Sequence, residues 1–127
     1  MSSGRLRRDF TRVFASIAVE LRAETGVLLK GTLQDVTPTG MRICCEGELP
    51  VATDCRIVLH PHDAGDGPTI EARGKVVRSD EKHLALALTE VPFEEFERLR
   101  GFLLENASAP EEIADELSER FGLAPGD

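Results

Sequence analysis

The sequence predicts a mainly β fold, a six-stranded antiparallel β-barrel followed by one or two C-terminal α-helices. Three observations predict it. Between residues 13 and 90, six short runs alternate apolar and polar residues with the period of two that buries one face of a strand. Turn formers, with no stretch of helical period, separate these runs. After Pro92 the apolar spacing lengthens to that of a helix.

The first run sets Val13, Ala15, Ile17, Val19 and Leu21 against Phe14, Ser16, Ala18 and Glu20. Glu24-Thr25-Gly26 supplies a turn, and Val27, Leu29 and Leu33 resume the alternation as a second strand. Met41, Ile43 and Cys45 mark a third strand, Cys55, Ile57 and Leu59 a fourth. Residues 60–68 are dense in Pro, Gly and Asp and read as a hairpin loop. Ile70, Ala72, Gly74 and Val76 line a fifth strand, Leu84, Leu86 and Leu88 a sixth. Phe93, Phe96, Leu99 and Phe102 or Leu103 then form the stripe of a helix running to about Glu105, with Glu94 and Glu95 in its first turn. Ser108-Ala109-Pro110-Glu111 resembles a capping box. It opens a second helix with the stripe Ile113, Leu117 and Phe121, and Gly122 is placed to end it. The expected organisation is a basic arm over 1–12, a barrel with its packing helix over 13–105, and an additional short helix and tail over 106–127.

A chain of 127 residues, 41% hydrophobic and 30% charged, has the composition of one globular domain. No apolar run approaches the ~20 residues of a membrane span. The basic N-terminus lacks the apolar stretch of a signal peptide, so a cytoplasmic location is expected, without membrane insertion. Cys44, Cys45 and Cys55 are odd in number and lack a CxxC spacing, which reads as reduced strand cysteines. The net charge of -8 is unevenly spread: residues 1–12 carry four Arg and one Asp, whereas residues 90–127 carry three basic and eleven acidic groups. An acidic chain with one short basic arm is poorly suited to the many phosphates of a nucleic-acid duplex. Six Phe with no Trp or Tyr also leave few stacking platforms for single strands. A small anion with few phosphates suits it better.

Two segments carry the chemistry for such an anion. In Arg8-Asp9-Phe10-Thr11-Arg12 the two arginines are four residues apart, so a compact turn brings both guanidinium groups to one ligand. Their planar forks pair with phosphate oxygens or with O6 and N7 of guanine, and stack on a purine. Alone, the arm reads as a solvated basic tail. In Asp35-Val36-Thr37-Pro38-Thr39-Gly40, which joins the second and third strands, a tight turn needs these residue types on backbone grounds. The same residues also suit a ligand. The Asp35 carboxylate accepts from a guanine ring N–H and amino group, the Thr37 hydroxyl reaches a phosphate or base edge, and Gly40 permits close backbone approach.

Together the segments resemble the PilZ domain family, whose signature pairs an RxxxR arm with a D/N-x-S-x-x-G turn. Here Thr37 stands in place of the serine, which keeps the hydroxyl and adds a methyl group. Gly74-Lys75-Val76-Val77-Arg78 is similar to the family's later G-x-V-x-R strand, and the resemblance covers roughly residues 5–105. It implies a bacterial, non-catalytic receptor that clasps cyclic di-GMP, often as an intercalated dimer, and relays this second messenger to an unidentified protein partner. On that reading Arg8 and Arg12 hold phosphates and guanine edges, while Asp35, Thr37 and Gly40 form the floor. Arg7 and Arg42 are helpers by position. The alternative is a PilZ-like adaptor that works by protein contact without the ligand. His60, His62, Asp63 and Asp66 share one hairpin loop, which alone does not make a metal site, and His83 reads as an exposed strand residue. No catalytic set or cofactor motif is apparent, so neither an enzyme nor a cofactor is expected.

Overall fold

The computed structural model describes residues 11–62 and 67–121, with side chains up to residue 117 in the last helix. Arg7, Arg8, Asp63, Asp66, Gly122 and the side chain of Phe121 therefore lie outside the described residues. The elements in chain order are β1 (Val13–Phe14), β2 (Ala18–Ala23), β3 (Leu28–Thr37), β4 (Gly40–Cys45), β5 (Asp54–His60), β6 (Ile70–Ser79), β7 (His83–Glu90), α1 (Phe93–Asn106) and α2 (Pro110–Phe121). The strands run β3-β2-β5-β6-β7-β4 around the wall, and β4 pairs again with β3. Six antiparallel strands thus close a barrel, as the alternation predicts.

The expected first strand is divided. Val13 pairs with Val36 and Ala18 with Thr32, so residues 15–17 face only residues 33 and 34 of β3. The extra residue makes a bulge that leaves β1 and β2 as successive pieces of one wall strand. Its alternation survives, with Val13, Val19 and Leu21 buried and Phe14 exposed. The core comes from the inward residues of every wall strand, among them Leu21, Leu33, Ile43, Ile57, Val76 and Leu84. Each large aliphatic side chain buried this way contributes about 1.5–3 kcal/mol before chain entropy is set against it. At the hairpin between β2 and β3, Gly26 adopts φ +100°, and its N–H donates to the Ala23 carbonyl at 2.9 Å.

Helix α1 adds Leu99, Phe102 and Leu103 to the core. Phe93, expected on the same stripe, is instead 72% exposed. At 3.6 residues per turn, two steps of three rotate a side chain by about 120° from Leu99, off the buried face. Glu95 ties the helix to β6 by accepting from the Glu71 N–H at 2.8 Å, and Arg98 pairs with the same carboxylate at 2.8 Å. Helix α2 begins one residue later than the Ser108 capping box would place it. The Ala109 carbonyl accepts from the Glu112 and Ile113 N–H groups, and Pro110 takes the first helical position, where a missing N–H leaves nothing unpaired. Ile113 and Leu117 then join the barrel's own core, each 1% exposed. Among the described residues no helix is long and apolar enough to cross a membrane.

Candidate functional site

The site is made by two slips of register. Leu33 pairs with Ile43 and both face inward, but the next pair is Asp35 with Arg42, because Gln34 is an extra residue. Strict alternation from Leu33 would turn Asp35 into the core. The bulge turns it outward, and a bulge commonly re-aims a side chain in this way. On β6 the pairing moves from Val76–Leu86 to Arg78–Ala85, so Val77 is extra and Arg78 likewise faces out. Since Ala85 also pairs with Arg42 and Asp35 with Phe14, one outer row runs Arg78, Ala85, Arg42, Asp35, Phe14 across five strand segments.

Asp35 is the one buried charged residue among the described residues, 4% exposed although it faces outward. Its cover is cationic. Arg42 donates from Nε at 3.2 Å and from Nη2 at 2.9 Å to Asp35 Oδ2, and Arg12 Nη1 lies 3.7 Å from the same oxygen. Both arginine side chains remain about half exposed, so each presents a guanidinium edge to solvent while its position is held. A carboxylate sharing two arginines in this way fixes forks that match a phosphate or a guanine edge. These residues line a cavity of about 850 Å³, together with Thr37, Gly40 and Arg78. That is the volume class of sites for small organic ligands.

The turn beneath has internal work as well. Thr37 Oγ1 accepts from the Thr39 N–H at 3.2 Å and donates to the Gly40 carbonyl at 3.4 Å, closing the turn that Pro38 stiffens. At Gly40 a Cβ would lie 2.8 Å from the Leu86 carbonyl oxygen, so the close approach seen is to β7. Asp80 and His83 also line the cavity. The Lys82 and His83 N–H groups each donate to Asp80 Oδ1 at 2.9 Å, and these bonds hold its carboxyl below the usual range. Thus His83, read from sequence as merely exposed, stands beside the site.

The structure brings Arg12, Asp35, Thr37, Gly40 and Arg42 together; Arg7 and Arg8 lie outside the described residues. A PilZ domain model matches residues 6–105. The chain belongs to the PilZ domain family. No curated protein sequence matches it. Solved structures do. The PilZ domain of CeSA from a cellulose-synthesizing bacterium is 16% identical with a TM-score of 0.61, covering 75% of this chain and 96% of that one. The PilZ domain of YcgR from Escherichia coli, a structure with c-di-GMP, is 14% identical with a TM-score of 0.62, covering 90% and 98%. The Bacillus subtilis inhibitor of motility MotI/DgrA is 17% identical with a TM-score of 0.62, covering 78% of this chain and half of the other. At such identities the likeness is one of fold.

Arg78 lines the cavity too, a place that its position in a sequence motif does not by itself assign. The signal was present in Gly74-Lys75-Val76-Val77-Arg78, but alternation alone would send Arg78 inward. The three cysteines are free, Cys44 exposed and Cys45 and Cys55 buried. Burial pushes both buried thiols up, which makes them poor nucleophiles. His60 Nε2 lies 3.8 Å from Glu20 Oε1 on the wall away from the cavity, and the described residues hold no cluster fit for a metal ion.

Proposed function

We propose that this PilZ protein is a cytoplasmic, non-catalytic receptor for cyclic di-GMP that passes the signal to a protein partner. One observation carries the reading: Arg12, Arg42 and Arg78 converge with Asp35 on a single cavity of about 850 Å³, in a chain whose net charge is -8. Concentrating three arginines at one place on an acidic protein suits a compact anion with planar bases. Arg8, and Arg7 beside it, extend from the adjoining arm over the ligand, while Thr37 and Gly40 shape the floor. Closing of Arg8 and Arg12 on the ligand creates a new surface for the partner. The known c-di-GMP complex of the YcgR PilZ domain supports the choice of ligand.

Calorimetric titration of the folded chain with cyclic di-GMP tests the reading. Saturable heat at micromolar ligand is the expected result, and none at tens of micromolar would sink it. Arg8→Ala and Arg12→Ala each lose a charge-assisted contact of ~1.5–3 kcal/mol, a weakening of tenfold or more.

One observation favours a second reading. Thr37 and Gly40 already serve the turn and the β4–β7 seam, so the motif residues have structural reasons to be present. An adaptor that binds its partner without ligand would be recovered equally with and without cyclic di-GMP in a pull-down.

A further inference from the structure

The arm and the last helix meet at one side chain. The Thr11 N–H donates to Glu116 Oε1 at 3.0 Å, and the Thr11 hydroxyl donates to Glu116 Oε2. The two residues are 105 positions apart. Thr11 immediately precedes Arg12, whose guanidinium faces Asp35. Glu116 is itself held in place, because Leu117 beside it and Ile113 one turn earlier are both buried in the core. Helix α2 starts at Pro110, beyond the residues that the family model matches.

We propose that Glu116 is a positioning residue for the ligand site, and that α2 is thereby coupled to its occupancy. The inference rests on the receptor reading above. Two hydrogen bonds to one residue fix both the direction of the backbone at Thr11 and the rotamer of its side chain. The chain therefore leaves the barrel with Arg12 already directed at Asp35. Ordering done before the ligand arrives does not have to be done at its expense, so affinity rises. Coupling of this kind is reciprocal: a ligand that needs the arm in place must in turn strengthen the docking of α2. A carboxylate near the arm also repels an anionic ligand. Both of its oxygens are engaged by Thr11, however, and salt at physiological strength screens the remainder over about 8 Å. Glutamine separates the two effects, because it keeps one acceptor for the N–H, offers an N–H to the Thr11 hydroxyl and carries no charge.

The test compares the parent with Glu116→Ala and Glu116→Gln, by calorimetric titration with cyclic di-GMP and by hydrogen exchange of the α2 amides. Glu116→Ala is expected to bind about fivefold more weakly with an unchanged melting temperature. Glu116→Gln should return to within about twofold of the parent. Adding cyclic di-GMP should slow exchange in α2 of the parent and leave it unchanged in Glu116→Ala. Parent-like or tighter binding by Glu116→Ala overturns the inference, and so does equal weakening by both variants or exchange in α2 of the parent that ignores the ligand. If Glu116→Ala loses its fold, Thr11→Val, which removes only the hydroxyl, decides by a weakening of about twofold or by none. A parent that does not bind cyclic di-GMP overturns the receptor reading itself, which shows before any variant is compared.

Discussion

The barrel wall has a regular half and a slipped half. Where β2 meets β5, and where β5 meets β6, six consecutive residues pair in each seam without interruption. Where β3 meets β4 and where β6 meets β7, the register shifts at Gln34 and at Val77, and the β6–β7 seam slips a second time between Arg73 and Gly74. In the regular half every second side chain faces out, as Lys75 does beside Asp54 at 3.7 Å. In the slipped half two successive residues face out at each bulge, which adds Asp35 and Arg78 to the outer row that carries Arg42. The same alternating code builds both halves. The candidate site stands where the period breaks, as expected when local rules give way at functional positions.

Removing the extra residue is the largest test of that contrast. In a chain lacking Gln34, either Asp35 turns into the core or β3 slides by one residue and inverts its remaining side chains. Both routes bury polar groups without partners, and a buried charge left without its partners costs about 3–5 kcal/mol. Urea unfolding should show a loss of that order, together with loss of cyclic di-GMP binding. Parent-like stability and binding would mean that the bulge does not aim Asp35.

The two halves also differ in how legible they were. Alternation identified the runs around Val19 and Ile57 because β2 and β5 bury one face throughout their length, and in β6 it held from Ile70 to Val76. It could not place Asp35 or Arg78, since neither Gln34 nor Val77 is a glycine or any other residue that marks a bulge. The RxxxR and D-x-T-x-x-G segments made Asp35 legible as chemistry, though not its bonds to Arg42 and Arg12. Arg78 was legible as a motif letter alone. Contact between Thr11 and Glu116 was not legible at all, because 105 residues separate them and only the packing of Ile113 and Leu117 brings them together. Phe93 misled for a simpler reason: a spacing of three drifts around a helix when it is repeated.

A smaller effect separates the structural and ligand roles within the slipped half. Gly40→Ala puts a Cβ 2.8 Å from the Leu86 carbonyl oxygen, a backbone atom that cannot rotate away. Overpacking of this kind typically costs about 1–3 kcal/mol. The loss should appear in urea unfolding with no ligand present. A variant as stable as the parent that nevertheless loses cyclic di-GMP would instead assign the glycine to the ligand, and would leave β4 and β7 free of the constraint proposed for them.

The smallest effect belongs to the regular half. Arg56 of β5 is paired with Arg22 on one side and with Arg73 on the other, all three exposed. None of the three is in an ion pair with another described residue. Like charges directly opposite in a sheet destabilise it, whereas opposite charges contribute roughly 0.2–1 kcal/mol. Arg56→Glu converts two repulsions into two attractions, so it should raise stability by about 0.5–1 kcal/mol at low salt. The gain should fade near 1 M salt, where screening acts within about 3 Å. Around the ring β5 stands three strands from β4 in either direction, so cyclic di-GMP binding should be unchanged. A loss of binding in this variant would show that the arginine row also serves the ligand, and the division of the wall into a structural half and a functional half would then fail.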